Sequence, residues 1–191
     1  ADMGVGYSNK FGNNIQLSVL YTNGTGYKKS ENDSHKKISI QGLMGQKKLS
    51  SKDGFNVGAS FVNEPYDSYD VDSVSVTVEN KTVMGFFGGY AANSIRVGAE
   101  FDSFNDAGLD ISKQIISTYA IYKLSDELNI YGRFDAYDPD IDSDSDGENY
   151  IIAGFEYKPV KGLNIAPHLK MTKQEDEDAV TVICINFQFK Y

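Results

Sequence analysis

The chain has 191 residues and carries 18 basic and 27 acidic side chains, for a formal net charge of −9. This acidic balance excludes a nucleic-acid-binding surface. With a single cysteine among 13 Tyr, 11 Phe and 18 Gly, the fold does not rest on an internal disulfide. No stretch reaches the roughly 18 consecutive apolar residues of a transmembrane helix, whereas transmembrane β-strands need only about 9–11 residues each.

Apolar and polar residues alternate with a period of two along almost the whole chain, which is typical of strands with one apolar face. The early segments are residues 3–8, 14–21, 35–46 and 54–63. Two hairpins are predicted next: KTVMGFFGGYA with SIRVGAEFDSF, around residues 91–94, and KQIISTYAIYKL with ELNIYGRFDAY, around Ser125 and Asp126. NYIIAGFEYKP, GLNIAPHLKMTK and AVTVICINFQFKY follow. The pattern predicts an all-β antiparallel fold of about eleven strands.

The connections alternate in length. The short ones are residues 8–13, 46–54, 91–94, 124–127 and 159–162, and the long or acidic ones are 23–34, 64–81, 105–112, 138–148 and 174–179. A soluble sandwich has no reason to sort its loops in this way. An outer-membrane barrel does, because its periplasmic turns are short and its extracellular loops are longer. The alternation therefore predicts a transmembrane β-barrel region over residues 1–191, ending on the short-turn side.

The last strand supports the same class. Its alternating apolar residues finish in FQFKY, which resembles the closing strand and membrane-assembly signal of bacterial outer-membrane proteins, carried here by Phe187, Phe189 and Tyr191. An aromatic residue with a polar tip suits the headgroup level of a bilayer. The alternative for this strand is the buried edge of a soluble sheet, which shows the same alternation.

Strand parity bears on domain organisation. Single-chain bacterial barrels have an even number of strands, whereas about eleven are counted here. Either the first segment is not a strand, which leaves a ten-stranded barrel, or the chain is the C-terminal portion of a larger barrel. The start of the chain within the alternating pattern favours the larger barrel.

Two stretches resemble a known family. ADMGVGYSNKFGNNIQLSVLYTNGTGYKK, residues 1–29, and IYGRFDAYDPDIDSDSDGENYIIAGFEYKP, residues 130–159, are similar to segments of the phosphate-selective (polyphosphate-selective) porin superfamily. The resemblance implies that this chain supplies the last strands, ten to twelve of them, of a trimeric barrel of sixteen to eighteen strands. It further implies a Gram-negative outer membrane, contact with lipid and lipopolysaccharide, and passive diffusion of small hydrophilic solutes or ions.

Lumen-facing residues follow from the alternation. The basic candidates for lining the pore are Arg96, Arg133, Lys170 and Lys190, with His168 beside them, and the acidic residues on the same faces are Glu100, Asp102, Asp135 and Glu156. Lumen charges of both signs predict passage of small polar solutes generally rather than strict anion selectivity. The alternative for each charge is a salt bridge within the wall or a wetted side chain.

The stretch 140–147 contains a weak calcium candidate. Asp142, Asp144 and Asp146 stand at the first, third and fifth places of a calcium-binding loop, ahead of Gly147. The twelfth place, where a bidentate Glu is expected, is Ala153. The alternative is an acidic extracellular loop exposed to water, and no cofactor is required for the predicted function.

Competing function classes have less support. His35, His168 and Cys184 lie in different elements, so an enzyme is not predicted. The main rival is a closed outer-membrane barrel without an open pore, acting as an adhesin or surface anchor. A soluble calcium-binding β protein comes third.

Overall fold

The part of the chain that the structure describes forms eleven β-strands. The structure is a computed structural model that describes residues 2–26, 28, 34–69 and 75–190. The strands are β1 Gly4–Phe11, β2 Ile15–Thr22, β3 Lys37–Gly45, β4 Gly54–Tyr69, β5 Val76–Ala92, β6 Ile95–Asp106, β7 Ile111–Lys123, β8 Leu128–Asp138, β9 Glu148–Val160, β10 Leu163–Gln174 and β11 Val180–Phe189. None of these residues belongs to a helix that could cross a bilayer. The prediction of an all-β antiparallel fold is confirmed.

All eleven strands form one antiparallel sheet in which each strand pairs with its neighbours in the sequence. Two-residue turns join β5 to β6 and β9 to β10. Asn93 in the first and Gly162 in the second adopt positive φ angles of 54° and 89°, which these residue types tolerate. In the sheet as described, β1 and β11 each have one neighbour and do not pair with each other, so the described strands do not close into a barrel.

One expectation about the strands was wrong, and one alternative is excluded. Residues 64–81 were expected to form a loop, but β4 continues to Tyr69 and β5 starts at Val76, with Pro65 opposite Asn80. Positions 70–74 of this range lie outside the described residues. The cross-strand pairing outweighs the loop-like composition, because Val76 and Val78 restore the alternation. The ten-stranded alternative also fails, because the first segment is a strand that pairs with β2 from Gly4 to Phe11.

The sheet has no conventional hydrophobic core. Among the residues that the structure describes, Leu49 and Ala91 are the buried apolar ones. Large apolar side chains are exposed instead, with Ile183 at 76% and Phe189 at 67% of full exposure. A soluble protein with 40% apolar residues buries most of its large ones in packed layers. The sheet has one layer, so no second layer among the described residues packs against its apolar face.

Strand register keeps the apolar side chains on one face. Val19 lies opposite Ile40, Ile40 opposite Phe61, and Phe61 opposite Met84. Because side chains alternate along a strand, a register kept across successive pairs holds the faces distinct. Among the strand residues that the structure describes, the charged ones on the apolar face are Asp67, Asp138 and Lys173, all near the strand ends away from the short turns. The other charged strand residues point to the opposite face.

The apolar face carries aromatic side chains along the edge with the short turns. Six of the eleven strands place one there: Phe11, Phe55, Tyr90, Tyr122, Tyr157 and Phe189. All six are exposed. They form a row at the end where β1, β5, β7, β9 and β11 finish. This row borders the exposed apolar side chains of the same face, which together form the apolar band.

Candidate functional site: the polar face of the sheet

The polar face is concave. A cavity of about 670 Å³ is lined by polar-face side chains of six successive strands, from Gln41 on β3 to Arg133 on β8. Glu100 and Tyr119 contribute to the same wall. A flat sheet could not bring side chains of β3 and β8 to one cavity, because neighbouring strands lie about 4.8 Å apart. The polar face therefore curves around a space that is open to solvent.

Glycines on this face make room for large side chains. A Cβ at Gly58 would lie 2.3 Å from Cζ of Phe87, and a Cβ at Gly98 would lie 2.4 Å from Cε1 of Tyr119. Both aromatic side chains therefore lie against the backbone of the neighbouring strand, where any larger residue would displace them. This packing keeps the bulk of the rings close to the wall. It also explains glycines that alternation alone leaves unexplained.

Arg133 and Asp135 form the clearest charged pair of the site. Nε of Arg133 donates to Oδ1 and Oδ2 of Asp135 at 2.9 and 2.8 Å. The Arg133 side chain remains 52% exposed, whereas that of Asp135 is 11% exposed. Arg133 shares the cavity with Glu100. The guanidinium is thus oriented by a partly covered carboxylate and still reaches the open space.

Arg96 contacts a turn of the chain. It lies on the polar face, as expected, but its Nη2 donates to the backbone carbonyl of Ser50 at 2.7 Å. Ser50 belongs to the connection between β3 and β4, residues 46–53. Part of the Arg96 charge is therefore used to hold a turn rather than presented freely to solvent.

The remaining predicted pore-lining residues also lie on the polar face but are spread along it. The carboxylate of Asp102 lies against Gly85, because a Cβ at Gly85 would be 2.3 Å from Oδ1 of Asp102. His168 has Nδ1 3.1 Å from the carbonyl oxygen of Ala166. Nζ of Lys170 lies 4.9 Å from the ring centroid of Tyr150. These groups contact the wall close to their own strands, so the structure does not bring all the predicted charges together.

A second cluster of polar side chains lies where β9 ends, β10 begins and β11 ends. Glu156 accepts hydrogen bonds from Nδ2 of Asn129, at 2.7 Å, and from Nδ2 of Asn164, and it pairs with Nζ of Lys158 at 2.8 Å. Lys190 lines a cavity of about 370 Å³ together with Glu156 and Lys158. The Glu156 carboxylate is largely committed to neighbouring side chains, which is the wall-pairing alternative for a lumen charge.

The alternation of the sequence did not identify two features of this face. The first is the turn 46–53, which brings Lys47, Lys48 and the buried Leu49 to the cavity of Arg133. The only sequence signal was a lone leucine between lysines and serines. The second is Asp106, which is 2% exposed, accepts a hydrogen bond from the hydroxyl of Tyr66 and lies 3.6 Å from Nζ of Lys81.

The acidic loop after β8 forms hydrogen bonds within itself. Asp140 accepts from the backbone N–H of Asp142 at 3.4 Å and from the hydroxyl of Ser143 at 3.2 Å. Within the described ranges, no three His, Cys, Asp or Glu side chains are grouped as a metal site. Calcium binding by Asp142, Asp144 and Asp146 stays a prediction.

The closing strand places its aromatic residues on the apolar face. Phe187 lies opposite Ile165, and Phe189 lies opposite Leu163. Both phenyl rings are exposed. Tyr191, the third residue of the predicted assembly signal, lies outside the described residues.

Comparisons with known proteins assign no family to these observations. No protein-family model matches the chain, and no curated protein sequence matches it. A proposal for the function therefore depends on how the side chains are distributed over the two faces of the sheet.

Proposed function

We propose that this chain forms part of the wall of an outer-membrane porin, a β-barrel through which small hydrophilic solutes or ions diffuse passively. The observation that carries the proposal is the segregation of charge. Among the described strand residues, the charged ones lie on the concave face, and the opposite face carries charge only near the strand ends away from the short turns. A lysine or arginine on the lipid face at the bilayer midplane costs about 2–4 kcal/mol. A lipid-facing wall must therefore exclude such residues from its centre.

The row of aromatic side chains gives a second argument. Tyr and other aromatic residues are favoured at the headgroup level, where transmembrane barrels carry aromatic girdles. The row from Phe11 to Phe189 follows one edge of the apolar band. In the proposed orientation this edge lies at the periplasmic side, and the acidic loops at the other edge face lipopolysaccharide. Divalent cations offset the repulsion between the loop carboxylates and the negatively charged lipopolysaccharide.

The unpaired edges of β1 and β11 require partners in a membrane. Each unsatisfied backbone N–H or C=O group in hydrocarbon costs several kcal/mol, so a spanning sheet must close. Closure by further strands gives a larger barrel, which agrees with the resemblance to sixteen- to eighteen-stranded porins of the phosphate-selective type. We extend the proposal to a homotrimer on the strength of that resemblance.

The lumen chemistry supports diffusion of small polar solutes without a chemical step. Arg133, Asp135 and Glu100 place both signs of charge at one level of the wall. Charges of both signs on the wall of a water-filled passage interact with polar solutes and do not exclude ions of one sign completely. No cofactor or catalytic group is needed for such passage.

A second candidate is a closed barrel that acts as an adhesin or surface anchor. The observation in its favour is the turn 46–53, which lies across part of the concave face. Single-channel recording in planar bilayers separates the two functions. A porin gives stepwise conductance, and its reversal potential in a salt gradient measures ion preference. A bilayer that stays sealed at high protein load would favour the closed barrel.

A further inference from the structure

The turn 46–53 differs from the other connections on its side of the sheet. It has eight residues, whereas the turns after β1, β5, β7 and β9 have two to four. Leu49 within it is 6% exposed. Leu124, an apolar residue in the turn between β7 and β8, is 53% exposed. A leucine at the tip of a polar turn becomes buried only if the turn folds back onto the protein.

The turn folds onto the polar face of β5. A Cβ at Gly89 would lie 2.9 Å from Cδ1 of Leu49, so the leucine occupies the space left by the missing side chain of this glycine. Ala91, the other buried apolar residue in the described part of the chain, is on the same face two positions further along β5. The absence of a side chain at Gly89 therefore makes room for the turn.

Three polar contacts hold the turn to neighbouring elements. Nη2 of Arg96 on β6 donates to the carbonyl of Ser50 at 2.7 Å. The backbone N–H of Asn93, between β5 and β6, donates to Oδ2 of Asp53 at 3.1 Å. Nδ2 of Asn56 on β4 donates to the carbonyl of Gln46 at 3.1 Å. The turn is therefore attached along its length to the β5–β6 hairpin and to the start of β4.

This position brings two lysines to the lumen side. Lys47 and Lys48 line the 670 Å³ cavity with Glu100 and Arg133. Lys52, in the same turn, does not line that cavity. The cavity thus has three basic side chains to one acidic side chain, although the chain as a whole has a net charge of −9.

We propose that the turn 46–53 is a fixed constriction at the short-turn end of the lumen. Arg96 is its positioning residue, and Lys47 and Lys48 bias the passage of ions at this level. The inference rests on the proposed pore function, and the turn's docking can be tested separately from conduction.

Releasing the turn tests the constriction. Leu49→Ser removes the apolar anchor without changing charge, and Arg96→Met removes the donors while retaining side-chain length. Both variants are expected to raise single-channel conductance above the wild-type level, and Leu124→Ser, in the exposed turn, is the matched control and should leave it unchanged. A conducting wild-type protein whose conductance is unaffected by Leu49→Ser would overturn the constriction and leave the pore standing. A wild-type protein without conductance would overturn both.

Charge reversal tests the two lysines. Lys47→Glu with Lys48→Glu is expected to shift the reversal potential in a salt gradient toward the cation equilibrium potential. Lys52→Glu makes the same kind of charge change in the same turn away from the cavity and should have a much smaller effect. Equal shifts in the two cases would overturn the assignment of Lys47 and Lys48.

Thiol labelling tests the docked position without any conductance measurement. In a Cys184→Ser background, Leu49→Cys should react with a water-soluble maleimide far more slowly than Lys52→Cys. Adding Arg96→Met should speed the labelling at position 49. Equal rates at positions 49 and 52 would overturn the docked turn whether or not the protein conducts.

Discussion

Arg133 and Asp135 lie two residues apart on β8 and face the same side of the sheet, where Nε of the arginine donates to both carboxylate oxygens of the aspartate. Asp135 is 8% exposed as a residue, so its carboxylate is covered. Arg133 reaches the cavity. The pair therefore supplies a positioned positive group at the proposed lumen wall.

Reversing the charge at position 133 tests whether this group lines the pathway. Arg133→Glu is expected to shift the reversal potential in a salt gradient toward the cation equilibrium potential, because a charge in a narrow passage acts on permeating ions at short range. Asp135→Asn should shift it in the opposite direction, since it leaves Arg133 without its counter-charge. An unchanged potential in Arg133→Glu would remove the residue from the pathway.

A lysine on each face of the closing strand tests which face contacts lipid. Ile185 lies on the apolar face of β11 and Asn186 on the polar face. In the protein refolded into vesicles, Ile185→Lys should lower the free energy of unfolding by about 2–4 kcal/mol, because the charge enters hydrocarbon. Asn186→Lys should change it by less than about 1 kcal/mol. Urea unfolding measures both, and equal costs would show that Ile185 does not face lipid.

The buried carboxylate of Asp106, at the end of β6, is expected to stabilise the sheet. Asp106→Ala leaves the Tyr66 hydroxyl and Lys81 without their acceptor, which should cost about 1–3 kcal/mol of stability. Asp178→Ala, at an exposed acid in the loop between β10 and β11, is the control and should have little effect. Ion preference should stay close to wild type in the folded Asp106→Ala protein. A large change in selectivity would mean that Asp106 lines the pathway.

The calcium prediction for the acidic loop can be tested by calorimetry. If Asp142, Asp144 and Asp146 bind the ion, titration with calcium should give a saturable heat that Asp144→Asn weakens or abolishes, because each carboxylate supplies hard oxygen ligands. Asp176→Asn in the separate 174–179 loop should leave the heat unchanged. If the wild-type protein gives no saturable heat, the calcium prediction is wrong and the loop is an acidic loop exposed to water.

The strand pattern could be predicted from the sequence because it depends on local alternation. Each strand pairs with its chain neighbour, so short turns and period two were sufficient to assign the faces of β6, β8 and β11. The loop prediction failed over residues 64–69 and 76–81, where Pro65 and Asp67 are typical of a loop. There the pairing of β4 with β5 decides the structure, and that pairing depends on contacts between separate segments.

The site was harder to predict, because its contacts join residues far apart in the sequence. Alternation put Arg96 on the polar face, but its hydrogen bond to Ser50 spans 46 positions and ends on a backbone carbonyl, which leaves no trace in side-chain patterns. The same holds for Leu49 over Gly89. The Arg133–Asp135 pair could be anticipated, because two residues on one strand at a spacing of two share a face.

The claim that one face of the sheet contacts lipid and the other encloses water is tested most directly by fluorescence quenching at two positions of one strand. Ala120 and Ser117 lie on opposite faces of β7. In a Cys184→Ser background, a small fluorophore attached to Ala120→Cys should be quenched by brominated acyl chains and protected from aqueous iodide. The same label on Ser117→Cys should show the reverse. Equal iodide quenching at both positions, with no effect of brominated lipid, would contradict the transmembrane wall.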